Sequence, residues 1–213
     1  MKKVKLALIS LLAPFILSAQ SFGGSIEFKY YTVKDTTINV YHIKDKNVKL
    51  DQFGKKSGYV EGSFVFNLAN NTIKFVNPKR KVWGDHHSDT PPVIKGVCES
   101  KKTSNTKTIQ GIKCTEYIVK NTEENTVISY WIATGGKYDF FVPLVKIWNR
   151  KDKQSIYFNQ LKDLPAGSMP MLSEEKQISD NKLITRLEVS KITKEVIDDA
   201  KLIVPVDYKK FEQ

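Results

Sequence analysis

Between residues 26 and 30, Ile26, Phe28 and Tyr30 alternate with Glu27 and Lys29. A two-residue period of this kind predicts a strand with one buried face. The same alternation recurs over 38–40 and 48–50, through Phe64, Phe66 and Leu68, and over 73–75. Short polar links join these runs, "KDTT", "KDKN" and "ANN" among them. Asn and Asp tolerate left-handed turn geometry, so the links read as hairpins and the segment as an antiparallel meander. A polar loop, "WGDHHSDTPP" (83–92), interrupts it, and strand patterns resume near 93–101, at 112–120 and at 127–133.

The period changes over 139–164. Phe141, Leu144, Val145 and Trp148 fall at i, i+3, i+4 and i+7, one face of a helix, and Pro143 suits a first helical turn. Tyr157, Leu161 and Leu164 continue that spacing as far as Pro165, although "SIYF" within the run also reads as strand. "PAGSMPML" (165–172) reads as an apolar loop. Strands are expected again over 172–178 and 183–193, around a turn at 179–181. In the last of them Leu183, Leu187 and Val189 share one face and Arg186, Glu188 and Ser190 the other. The expected fold is mainly β: a curved antiparallel sheet with a helical insert at about 139–164, in a single domain spanning 20–213.

The first residues alter where this domain is expected to work. Lys2, Lys3 and Lys5 precede an apolar run from Leu6 to Leu17, and the small pair Ser18-Ala19 follows. That is the layout of a secretory signal peptide cleaved after Ala19, with an uncleaved anchor disfavoured because the run is short of the ~20 apolar residues a span needs. No cysteine follows the apolar run, so lipid attachment at a new N-terminal Cys is not expected. The protein is read as exported, to the periplasm or beyond, and as a monomer. Its formal charge is +11, from 34 Lys and Arg against 23 Asp and Glu. A basic balance favours anionic partners such as a membrane surface, and export makes nucleic acid an unexpected one. The lysines are nevertheless dispersed, as on an ordinary solvated surface.

Export also bears on the two cysteines. An even count in an oxidising compartment favours a disulfide. Cys98 and Cys114 lie in two expected strands, and pairing about residue 106 would set them opposite each other. The loop so closed, about 15 residues, would contribute roughly 3 kcal/mol in the chain-entropy model. Two buried thiols are the alternative. A catalytic cysteine would need a histidine partner and an electropositive setting, and neither adjoins these two.

Asp85, His86, His87 and Asp89 crowd one loop, and such sets bind transition metals or serve hydrolases. No H-x-x-x-H or H-E-x-x-H helix supports them, so a solvated turn is the plainer reading and no metal or cofactor is expected. His42 stands alone in a strand and reads as structural. No nucleophile elbow, phosphate-binding glycine loop or dinucleotide fingerprint occurs. The apolar surplus of 138–172 says more. Its aromatic side chains and adaptable methionines could line a cavity between sheet and helix, or could simply be the core that such a fold requires.

Several stretches together resemble a known family. "GSIEFKYYTVKDTTINVYHIKDKNVKLD", "KTIQGIKCTEYIV", "SYWIAT" and "LIVPVDYKKF" are similar, in that order, to exported Gram-negative proteins grouped as the domain of unknown function numbered four-four-one-two. The matched features are Gly111 to Cys114, Trp131, and the closing Pro205 and Tyr208. The resemblance implies a half-open β-barrel like that of the periplasmic lipoprotein carriers LolA and LolB, with helices over an apolar cavity. It does not carry function over, since no basic lipoprotein-contacting residue of the carriers matches a position here.

The reading that follows is a non-catalytic exported protein holding a lipid, acyl chain or lipoprotein. Trp131, Phe141, Leu144, Trp148, Leu161, Met169 and Met171 are the expected lining. The alternatives are an envelope interaction protein working through its basic surface, without a cavity, and a hydrolase using His86 and His87.

Overall fold

The computed structural model describes residues 21–211 apart from Lys56. The expected signal peptide, 1–19, lies outside the described residues. The first meander comprises β1 (Gly24–Thr32), β2 (Thr36–Lys44), β3 (Asn47–Phe53), β4 (Val60–Asn67), β5 (Thr72–Asn77) and β6 (Val82–Asp85). A second comprises β7 (Glu99–Ile109), β8 (Ile112–Asn121) and β9 (Thr126–Ala133). Helices α1 (Phe141–Trp148) and α2 (Lys153–Phe158) follow, then β10 (Met169–Gln177) and β11 (Leu183–Lys194). A 3-10 helix (Asp199–Leu202) and the short β12 (Lys209–Lys210) close the chain.

All twelve strands join one open sheet, in the order β12-β6-β5-β4-β3-β2-β1-β11-β10-β9-β8-β7. The join between the two meanders is the antiparallel pairing of β1 with β11, from Gly24 opposite Lys194 to Thr32 opposite Thr185. Only β12, against β6, is parallel.

The sheet curls around the helical insert. Trp148 of α1 packs at an angle against Phe64 and Phe66 of β4, with ring centroids 5.3 and 5.2 Å away. Phe158 of α2 meets Tyr130 of β9 at 5.7 Å, and Phe141 joins the two helices at 5.3 Å from Phe158. In a flat sheet β4 and β9 would lie about 29 Å apart at ~4.8 Å per strand, more than two short helices cover. Bulges help the bend: the register slips at Glu27/Phe28 in β1, Gln52/Phe53 in β3 and Pro170/Leu172 in β10. Between helices and sheet lies the core, with Ile43, Val48, Leu50, Phe66, Ile128, Ile132 and Leu144 all fully buried.

Two side chains fix the insert. Asp152 caps α2, accepting from the Ser155 amide at 3.0 Å. Asn149 ends α1 in the left-handed region (φ 47°) and donates through its side chain to the Ser88 and Thr90 carbonyls. The loop after β6 is thereby lashed to the junction between the helices.

The mainly β architecture with a curved sheet and two helices is as expected from the pattern; three details differ. First, α2 stops at Phe158 because the chain tightens there, the Leu161 amide bonding back to the Phe158 carbonyl at 3.1 Å. Leu161 and Leu164 therefore lie beyond the helix. Second, β10 begins at Met169, so Met169 to Met171 belong to the strand expected from 172 rather than to a loop.

The third correction concerns the disulfide. The β7–β8 hairpin turns at Gln110-Gly111, both at positive φ (50° and 73°), and not near residue 106. Cys114 consequently sits opposite Lys107, while Cys98 lies beside Asn121, whose side-chain amide is 3.7 Å from its sulfur. Asn121 is about 23 Å along β8 from Cys114 at ~3.3 Å per residue, and a disulfide needs Cα atoms within ~7 Å. Both thiols are free. Burial pushes the Cys114 thiol up to about 11 and raises that of Cys98 as well.

Candidate functional site

Three inward rows of β1 set the chemistry of the concave face. Strand pairing aligns Ile26 with Tyr41, Phe28 with Asn39, and Tyr30 with Thr37. β3 extends two of these rows, Leu50 lying opposite Tyr41 and Gln52 opposite Asn39. On the other flank Val189 adjoins Phe28, and Leu187 adjoins Tyr30. Read along β1, the face grades from aliphatic and aromatic at Ile26, Tyr41 and Leu50 to hydrogen-bonding at Asn39, Gln52, Thr37 and Tyr30.

Over this graded face the helices leave a cleft of about 130 Å³. Phe141, Val145, Trp148 and Phe158 roof it, and Met169 and Pro170 of β10 close one side. The volume is close to the ~150 Å³ at which an apolar engineered cavity takes up benzene, so about six carbon atoms would fill it. Arg150, Asp152, Gln154 and Ser155, from the α1–α2 junction, line the cleft as well. Arg150 is exposed and marks the side open to solvent.

A hydrogen-bonded frame sets the polar groups. Arg150 Nε donates to Asp152 Oδ2 at 2.6 Å, and its guanidinium lies 4.8 Å from the Trp148 ring centroid. The Tyr130 hydroxyl donates to the Gln154 carbonyl at 2.7 Å. The Gln154 side-chain amide donates to Thr185 Oγ1 at 3.0 Å, and Thr185 donates onward to Glu175 Oε2 at 2.7 Å. Gln154 is 6 % exposed, and its Oε1 has no partner among the described residues. Burial, with Asp152 and Glu175 nearby, raises the Tyr30 hydroxyl above its ordinary value.

Of the residues expected to line a cavity, Phe141, Trp148 and Met169 border this cleft. Leu144 and Met171 are fully buried in the core. Leu161 packs against the core from the segment after α2. Trp131 follows Tyr130 in β9, so alternation turns it to the opposite face, where Lys107 Nζ lies 5.2 Å from its ring centroid. The pattern-based search missed the walls from β1, β2, β3 and β11. Their signal was present as polar residues at inward positions, Asn39 and Gln52 foremost.

The histidines have other surroundings. His86 packs edge-on against Phe64 at 5.5 Å, and partial burial lowers its basicity. Among the described residues no group of three or more His, Cys, Asp or Glu is arranged to hold a metal. His42 is buried and pairs through Nε2 with Asp51 Oδ2 at 3.1 Å. Asp51 also accepts from Ser63 Oγ at 2.6 Å and lies 3.2 Å from Lys49 Nζ. These three residue types make hydrolytic triads elsewhere, but here the serine bonds the carboxylate and not the imidazole, which leaves it without a base. The cluster lies on the face opposite the cleft, since Leu50 and Gln52, which flank Asp51 in β3, point inward.

Residues 22–208 match the family described as Domain of unknown function (DUF4412). The chain belongs to this family. Among curated proteins none matches the chain. An uncharacterized conserved protein from Thermus thermophilus shares the fold at 7 % identity and a TM-score of 0.50, with 90 % of this chain and 91 % of that one covered. PNGF-II aligns at 15 % identity and a TM-score of 0.42, over 84 % of this chain but 29 % of its own. A LolA superfamily protein from Nitrosomonas europaea aligns at 9 % identity and a TM-score of 0.35, over 86 % of this chain and 90 % of that one. No helix among the described residues is long and apolar enough to cross a membrane.

Proposed function

We propose that the cleft holds the apolar end of an amphipathic molecule, an alkyl or acyl chain of a lipid or lipoprotein, in an exported and non-catalytic binding protein. The supporting observation is the gradient along β1, from Ile26, Tyr41 and Leu50 at one end to Asn39, Gln52, Thr37 and Tyr30 at the other. A core built only for stability gains nothing from inward amide and hydroxyl groups, each of which costs desolvation. A bed for an amphipathic molecule needs both ends.

Filling the cleft sets the affinity to look for. About six carbons at ~0.8 kcal/mol each give roughly 5 kcal/mol, which places the dissociation constant near or just below 1 mM before ordering costs. Titrating isotope-labelled protein with 1-hexanol should shift the amides of β1, α1 and α2 saturably in that range. Leu187→Trp, which places a large ring on the cleft wall beside Tyr30, should abolish the shifts. Amides around the cleft that stay unmoved up to about 10 mM hexanol, where even a millimolar site would be nearly full, would refute the proposal.

A further inference from the structure

Strand order decides which turns share an end of the sheet. Antiparallel pairing brings the turns at 33–35, 54–59, 78–81, 122–125 and 178–182 to one end. The helical insert leaves β9 at Ala133 and rejoins the sheet at Met169, which pair with each other, so it starts and finishes at the opposite end. Its α1–α2 junction returns to the first end, where Arg150 and Asp152 line the cleft with Thr37 and Gln52. The cleft therefore opens among these turns.

The two ends differ in composition. At the open end Val33, Tyr59 and Leu183 are 67, 78 and 43 % exposed at three separate turns. Each has an exposed base on its own turn, Lys34, Lys55 and Lys182 respectively. Over the five turns and the junction, eight described Lys and Arg are exposed, against Asp35, Glu123 and Asp180. Asp207 reaches Lys81 from the C-terminal segment and leaves that excess standing. The turns at the other end, 45–46, 69–71 and 110–111, carry no large exposed apolar side chain. With the two links of the insert they are near charge balance, Lys46, Lys137 and Lys162 standing against Asp45 and Asp163. Val196 is exposed beyond β11 near that end, but its neighbours are Glu195 and the buried Ile197.

A lone exposed apolar residue needs no explanation, whereas apolar tips interleaved with bases at one end of a fold do. An anionic bilayer surface suits both kinds of side chain. Apolar and tyrosine side chains enter the boundary between headgroups and acyl chains, while lysines stay at the headgroups. A protein groove would have to match the spacing of tips on separate hairpins, and a fluid surface need not. We infer that the turn end of the sheet is a docking surface for an anionic lipid bilayer, seated with the cleft opening toward the membrane. The inference stands on the turns and not on what fills the cleft. So seated, an apolar chain would pass between bilayer and cleft without crossing bulk water.

Sedimentation with mixed phosphatidylglycerol–phosphatidylcholine vesicles tests this, with pure phosphatidylcholine as reference. The exported protein should bind the mixed vesicles at about 50 mM salt and lose most of that binding at about 500 mM, as screening shortens. A Lys at such a surface is worth about fivefold in affinity, so Lys34→Glu with Lys182→Glu should cost about 25-fold or more. Lys137→Glu with Lys162→Glu makes the same change of charge at the opposite end and should cost less than about threefold. Val33→Ser, Tyr59→Ser and Leu183→Ser together should cost about tenfold or more. The vesicle and salt comparisons on the unaltered protein test the inference even if a variant does not fold. No binding to mixed vesicles at about 50 mM salt overturns it. So does an equal loss from the two lysine pairs, which would trace binding to total charge, and so does binding indifferent to the three serine substitutions. Vesicle binding without cleft shifts in 1-hexanol leaves this surface standing and removes the cleft, and cleft shifts without vesicle binding do the reverse.

Discussion

Asp51 gives the sharpest test of what holds the sheet together. It lies between β2 and β4, with the imidazole of His42 at 3.1 Å, the Ser63 hydroxyl at 2.6 Å and the Lys49 ammonium at 3.2 Å. Its side chain is only 7 % exposed, and burial alone would push its carboxyl upward. The bonds from His42 and Ser63, with Lys49, outweigh that and hold it down at about 2. Keeping a carboxyl at about 2 rather than the ordinary ~3.9 stabilises the fold by about 2.5 kcal/mol at neutral pH. Because the folded-state value is depressed, this contribution is complete above about pH 5 and is lost as the pH falls toward 2. Asp51→Asn removes the charge and leaves two basic groups around an amide, a change that costs about 3–5 kcal/mol in a buried pair. In a chain of this size that lowers the melting temperature by roughly 6–20 °C at pH 7, at ~2–4 °C per kcal/mol. Urea unfolding of both proteins between pH 7 and about pH 2.5 should show the gap narrowing by most of 2.5 kcal/mol, since the unaltered protein alone loses this term. Two stability curves running parallel down to that pH would mean that Asp51 is not held ionised by its neighbours.

Three further outcomes follow from other parts of the molecule. Gly167 combines φ of 68° with the backbone of Gly136 only 2.4 Å from where a Cβ would stand, so Gly167→Ala should cost about 3 kcal/mol or more in chemical denaturation. Intact mass after alkylation under non-reducing, denaturing conditions should show two labelled thiols. In the folded protein at pH 8 Cys114 should stay unlabelled, since burial raises it to about 11. Trp131→Ala should leave hexanol affinity within about twofold, because its ring lies under Lys107 on the face away from the cleft, whereas loss of the roof residue in Trp148→Ala should change it more.

The parts of the fold that pattern alone revealed are those where one face of an element is wet. In β1 and at Val48–Leu50 of β3 the period of two is clean because Glu27, Lys29 and Lys49 mark the side away from the cleft. α1 was legible for the same reason at a period of 3.6, its buried Leu144, Val145 and Trp148 being flanked by exposed Lys146. The β7–β8 hairpin was misread where neither face is dry. Residues 103–108 of β7 are largely solvated, so "SNTKT" carries turn-like residues without turning, and a bulge between Lys102 and Thr106 absorbs the extra length. The true turn, Gln110-Gly111, had its own signal in the glycine that takes positive φ without cost.

For the cleft, the apolar pattern and the geometry select partly different residues, for a physical reason. Aromatic and methionine residues of 138–172 suggested a cavity, and Phe141, Trp148 and Met169 do border it, but Leu144 and Met171 are equally apolar and only fill the core. Hydrophobicity cannot separate a side chain that touches its neighbours from one that borders a void, because both are kept from water. Polar residues in the inward phase of a strand do separate them. Asn39 and Gln52 occupy the inward positions that Tyr41 and Leu50 define two residues away, and a close-packed interior would have excluded them. The same logic marks Gln154, a polar residue among the buried Ile156, Tyr157 and Phe158 of α2. Polar groups that break an apolar phase on three elements, β2, β3 and α2, and line one cleft are the observation on which the proposed bed for an amphipathic molecule rests.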